Sequence, residues 1–144
     1  MRVLIAYLSY SGNTKEVAEL IEQICGFYNC TVDVHRIGVD APVLPSDYDY
    51  IFLGTFTWGE GSTPDEVKDF IIEVGYKPKN MAIFGTGDTQ FGGDDLFCLA
   101  VDKLVTFYDS PWEGLKIEQS PRGSQEKLIN DWLGGILNHV THLA

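Results

Sequence analysis

The sequence predicts an open α/β fold, a parallel sheet covered by helices on both faces. Three observations predict it. Short, nearly continuous apolar runs recur at Val3 to Leu8, Ile51 to Gly54 and Met81 to Gly85. Most segments between strands carry apolar residues at helical spacing. Strand and helix patterns alternate along the chain, as a parallel sheet with right-handed crossovers requires.

Val3 to Leu8 is the first strand, because a run without polar alternation suits a strand buried on both faces. Val17, Leu20, Ile21 and Ile24 share one face of the first helix. Thr31 to Ile37 alternates apolar with polar residues, as a strand nearer the sheet edge would. Gly38 to Asp47 holds two prolines and is expected as loop with at most a short turn of helix. After the strand Ile51 to Gly54, the second helix has Thr63 as its cap and Pro64 in its first turn. Glu66 completes a capping box, Val67, Phe70, Ile71 and Val74 form the apolar face, and Gly75 ends it. Met81 to Gly85 is the fourth strand, Leu96 to Tyr108 the third helix and Leu115 to Glu118 a second alternating strand. Leu128, Ile129, Trp132, Leu133 and Ile136 define the last helix, with Ser124 as its cap. No repeat, linker or low-complexity tract interrupts the 144 residues, so residues 1–144 are expected to form one domain.

The charge balance narrows the function. Ten Lys and Arg against 21 Asp and Glu leave a net charge of −11. A nucleic-acid binder needs a basic face, so that class is excluded. A basic-surfaced partner, drawn in by electrostatic steering, suits the charge. No apolar run approaches a membrane span. The apolar stretch at the N-terminus is short and lacks a small-residue cleavage site, so the chain is expected in the cytoplasm. Cys25, Cys30 and Cys98 form no C-x-x-C pair and are expected as free thiols. His139 and His142 have a metal-like spacing, but no acid or thiol stands near them, so no metal site is expected.

In open parallel sheets ligands bind beyond the carboxyl ends of the strands. Three loops there are unusual. Ser9-Tyr10-Ser11-Gly12-Asn13-Thr14 joins the first strand to the first helix. A helix N-terminus presents unpaired N–H groups and the positive end of a dipole. With the hydroxyls of Ser9, Ser11 and Thr14, the Asn13 amide and the tight turn at Gly12, this loop suits a phosphate dianion. Its glycine spacing is not that of a nucleoside-triphosphate loop. The second loop, Thr55-Phe56-Thr57-Trp58-Gly59-Glu60-Gly61, sets a tryptophan among hydroxyls and glycines, suited to stacking on a flat ligand. The third, Gly85 to Gly93, offers glycines, backbone donors and Phe91, but lacks the dinucleotide fingerprint.

These residues resemble the flavodoxin family, and the resemblance covers essentially the whole chain. It rests on the hydroxyl-Gly-Asn-Thr loop, on Thr57-Trp58-Gly59-Glu60-Gly61, and on Gly85-Thr86-Gly87-Asp88 followed by an aromatic. Phe97-Cys98, Ala100-Val101-Asp102 and the stretch from Leu115 through Pro121 add to it. The last strand carries no long insertion, which is similar to the short-chain group. The resemblance implies a flavodoxin-like, doubly wound five-stranded parallel sheet of order 2-1-3-4-5. It implies an electron carrier rather than an enzyme, holding flavin mononucleotide (FMN) between a flavoprotein reductase and acceptor redox proteins, as a monomer. Ser9, Tyr10 through its backbone, Ser11, Gly12, Asn13 and Thr14 would hold the FMN phosphate. Trp58 and Phe91 would flank the flavin ring, and Thr55, Phe56, Thr57, Gly61, Gly87, Asp88, Thr89 and Gly92 would lie along it and the ribityl chain. Gly59-Glu60 is the peptide that turns over on reduction in this family.

Phe91 and Glu60 depart from the family's usual Tyr and Asp, and Gly92-Gly93 with Asp94-Asp95 lengthen the third loop. An acidic rim of Glu60, Asp65, Glu66, Asp88, Asp94 and Asp95 would oppose further negative charge on the flavin. Alternatives are an FMN activator of a manganese ribonucleotide reductase and a non-redox FMN-binding or interaction module. A phospho-receiver module shares the topology, but Leu8-Ser9 and Leu53-Gly54-Thr55 stand where its acids belong.

Overall fold

The apolar runs become strands because helices cover both faces of one sheet. The computed structural model describes residues 1–57, 62–87, 98–119 and 121–143, with only the backbone from 138 onward. Its strands are β1 (Arg2–Tyr7), β2 (Thr31–Arg36), β3 (Tyr50–Phe56), β4 (Met81–Gly87) and β5 (Leu115–Glu118). Its helices are α1 (Asn13–Phe27), α2 (Asp65–Val74), α3 (Leu99–Tyr108) and α4 (Ser124–Leu143), with one 3-10 turn at Pro45–Asp47. The sheet order is β2-β1-β3-β4-β5 with every pairing parallel, as expected.

Alternate residues of each central strand enter opposite cores. Val3, Ile5 and Tyr7 join Phe52, Ala82 and Phe84 beneath α1 and α4, which contribute Val17, Ile21, Ile129 and Leu133. Leu4 and Ala6 join Ile51, Leu53, Met81 and Ile83 beneath α2 and α3, which contribute Val67, Phe70, Val101 and Leu104. β2 and β5 are the edge strands, which accounts for their alternating composition.

Several local expectations change. β3 and β4 run two residues past Gly54 and Gly85, because Thr55 pairs with Gly85 and Phe56 with Thr86. α2 begins at Asp65, with Pro64 in the cap position and no side-chain cap. The Val67 and Lys68 N–H groups donate to the Pro64 carbonyl, so Thr63 lies outside the helix, buried rather than capping. α4 starts at Ser124 itself, after Gly123 at φ 55, so Ser124 is the first helical residue and not the cap. Leu128 is 51% exposed, off the apolar face that Ile129, Leu133 and Ile136 form. α3 is described from Leu99, and Leu96 and Phe97 fall outside the described residues. Gly75 closes α2 at φ 79, as expected.

Gly54 is required by close approach. A Cβ there would overlap the buried ring of Phe84 on the neighbouring strand. Gly54→Ala is expected to destabilise the fold by about 1–3 kcal/mol through overpacking. The check is the denaturant midpoint, which should fall at an unchanged slope. An unshifted midpoint would mean that the Phe84 ring moves aside freely.

Candidate functional site

The carboxyl ends of β1, β3 and β4 open onto one edge of the sheet. β1 hands the chain over cleanly, since the Leu8 N–H donates to the Gly54 carbonyl at 3.1 Å and the Ile37 N–H donates to the Tyr7 carbonyl at 2.8 Å. The loop then folds on itself. The Gly12 N–H donates to Ser9 Oγ at 3.1 Å, and Gly12 takes φ 96, a left-handed conformation that disfavours any side chain. Its carbonyl accepts the first helical bond of α1, from the Glu16 N–H at 3.0 Å.

Among the described residues no side chain caps this 15-residue helix. Its first-turn N–H groups have no intrahelical acceptor by geometry and sit at the positive end of the dipole. Among the described residues, a Cβ added at Gly12 would meet nothing within 4 Å. Ser11 is exposed, while Ser9, Gly12 and Asn13 are half-buried. Hydroxyls, main-chain N–H groups and a glycine turn fit a phosphate.

A cavity of about 510 Å³ flanks the loop toward β2, and Lys15 and Arg36 line it. Both cations face acids. Lys15 Nζ lies 3.9 Å from Glu19, and Arg36 Nη2 lies 2.8 Å from Asp40 Oδ1. Arg36 also donates through its main chain and Nε to Asp40 Oδ2, and these bonds hold the Asp40 carboxyl below its ordinary range.

The neighbouring strand ends reach the loop. Tyr10, 59% exposed, sets its ring 4.8 Å from that of Phe56 at the end of β3. Thr57 Oγ1 accepts from the Ala100 N–H at 3.1 Å, tying the end of β3 to the start of α3. Thr55 is fully buried and its hydroxyl donates to the Phe56 carbonyl, so this side chain does not reach the surface. Gly87 ends β4, and its carbonyl accepts from the Gln119 N–H at 2.7 Å. Thr14 turns inward, 1% exposed, with its hydroxyl 2.8 Å from that of Thr86 on β4. Thus the structure brings Ser9 to Thr14, Phe56, Thr57 and Gly87 to one edge. Trp58, Gly59, Glu60, Gly61, Asp88, Thr89, Phe91 and Gly92 lie outside the described residues, as do Asp94, Asp95 and the side chains of His139 and His142.

The family model for flavodoxin matches residues 5–109. This chain belongs to the flavodoxin family. It is 37% identical to "Probable flavodoxin 2" of Bacillus subtilis, with 90% of each chain covered. It is 29% identical to a flavodoxin of Nitratidesulfovibrio vulgaris, over 94% of this chain and 96% of that one. The crystal structure of oxidised Flavodoxin 1 from Bacillus cereus superposes with a TM-score of 0.83 at 27% identity, covering the whole of both chains. Flavodoxins are flavin-dependent electron-transfer proteins rather than enzymes, and they work with redox partners. Among the described residues no helix is long and apolar enough to cross a membrane.

Thr86 is the residue that sequence reasoning missed. Its only signal is a hydroxyl between two glycines at the end of a strand, and its meaning depends on α1 lying across the sheet. Among the described residues no group of three or more metal-ligating side chains is assembled, and all three cysteines are free.

Gly12→Ala is expected to cost roughly 1–2 kcal/mol, because a Cβ in the left-handed region strains the turn. Thermal unfolding would register it as a lower midpoint. Equal stability would show that the loop relaxes to another conformation without loss.

Proposed function

We propose that this chain binds FMN and carries electrons, at low potential, between a basic-surfaced flavoprotein reductase and acceptor redox proteins, as a cytoplasmic monomer. One observation carries the proposal in a chain of this family. The helix that follows β1 starts behind Gly12 at φ 96, with its positive end at the edge where β3 and β4 also end.

Each residue has a role by position. Ser9 and Ser11 present hydroxyls and Asn13 its amide for the phosphate, Tyr10 adds its backbone, Gly12 shapes the turn with its own N–H given to Ser9 Oγ, and Thr14 sits beneath them. Phe56, Thr57 and Gly87, with Gly61, Asp88, Thr89 and Gly92, would follow the ribityl chain and ring edge. Thr55 would support that edge from below, since its hydroxyl is committed to the Phe56 carbonyl. Trp58 and Phe91 would cover the two ring faces and exclude water from them. The Gly59-Glu60 peptide would present its carbonyl or its N–H to the ring according to charge, since glycine opens both orientations. The bound flavin supplies the one-electron chemistry, and the protein tunes it.

The net charge of −11 supports a carrier that is strongly reducing when fully loaded with electrons. The same charge steers basic partners toward it.

Two measurements test this function. Purified protein mixed with FMN is expected to take up one flavin per chain and quench its fluorescence, whereas a colourless preparation that ignores FMN would refute the proposal. Stepwise reduction is expected to resolve two one-electron steps, the second at the lower potential. Replacing Asp65 and Glu66 by Asn and Gln should raise that second potential by weakening repulsion. No movement in the redox titration would remove the acidic rim from the explanation.

A further inference from the structure

Thr14 Oγ1 and Thr86 Oγ1 lie 2.8 Å apart, in residues that are 1% and 3% exposed. They join the first turn of α1 to β4 across 72 residues of sequence. Thr86 is held on both sides, paired with Phe56 of β3 and with Ile117 of β5. Its hydroxyl is therefore a fixed point against which the start of α1 is set.

A hydroxyl has one proton and two lone pairs, so in this pair one oxygen donates and the other accepts. The direction decides what the helix start can offer a ligand. With Thr14 as donor, its proton is committed to Thr86, and only lone pairs face the first turn. Lone pairs repel an anion. With Thr86 as donor, the Thr14 oxygen accepts below and its own proton is released toward the N–H groups of the turn. Accepting one hydrogen bond also strengthens the donor, because chained hydrogen bonds polarise each other. The positive end of the α1 dipole favours an anion above this turn, and an anion selects the second direction.

We infer that Thr86 is a positioning residue for the phosphate, its hydroxyl donating to Thr14 Oγ1 so that the Thr14 proton serves a phosphate oxygen. The inference rests on the FMN-binding function proposed above. Thr86 does not itself touch the ligand. It fixes the rotamer and the proton direction of Thr14, a side chain that in a helix otherwise divides between two rotamers.

The experiment compares two flavins, FMN and riboflavin, which differ in the phosphate alone. Apo-protein is titrated with each by fluorescence quenching, as wild type, Thr86→Val, Thr86→Ala and Thr86→Ser. Val and Ala are expected to weaken FMN about tenfold while changing riboflavin by less than about twofold, and Ser to restore FMN binding. The Ala variant, which is smaller and cannot clash, guards against a Val variant that fails to fold. Unchanged FMN affinity in Val and Ala overturns the inference, and so do equal losses for both flavins, which mark a purely structural role. If wild type binds riboflavin as tightly as FMN, the role of Thr86 falls while flavin binding stands. If wild type takes up neither flavin, the FMN-binding function falls and the role of Thr86 falls with it.

Discussion

The parallel register of the sheet is the constraint on which the rest depends. Tyr7 pairs with Gly54, Gly54 with Phe84 and Phe84 with Leu115, so one row of residues crosses four strands at the same height. Parallel strands point their carboxyl ends the same way, and the chain leaves each of them within a few residues of that row. Loops far apart in sequence therefore emerge side by side. The contacts of Tyr10 with Phe56 and of Thr14 with Thr86 follow from this alignment. An antiparallel arrangement of the same strands would send alternate loops to opposite edges.

Apolar burial on both faces makes that edge rigid. The central strands are almost wholly enclosed, and their side chains divide between two cores. Each core is gripped by two helices, so the strand ends cannot slide relative to one another without opening packed surface. Polar loops can then carry binding groups on a frame that does not adapt to them. Gly54 shows how tight the frame is, since the Phe84 ring fills the space that a methyl group would need.

Much of this was legible in the residues. Strand and helix identity followed from apolar runs and helical spacing, and the three loops at the sheet edge stood out by composition. Strand lengths were less legible. Thr55, Phe56, Thr86 and Gly87 sit in glycine-rich stretches that read as loops, yet pairing with neighbours extends both strands through them. Helix starts were misassigned for a related reason. Thr63 and Ser124 are good capping types, but Pro64 and Gly123 precede the first helical residues of α2 and α4, and their backbone conformations set the boundaries. The inward turn of Thr14 was invisible, because its partner lies on a strand 72 residues away.

The engagement of Lys15 with Glu19 and of Arg36 with Asp40 bears on more than local folding. Both cations beside the α1 turn are already balanced by acids of their own. An anion seated on the turn would be held by neutral dipoles, main-chain N–H groups and hydroxyls, and would keep its formal charge. Hydrogen bonds from dipoles stabilise such a charge without cancelling its field at a distance, whereas a lysine or arginine would cancel it. A phosphate fastened in this way remains a source of negative potential inside a protein that is already acidic. The anchor of the ligand would then also act as part of its electrostatic tuning.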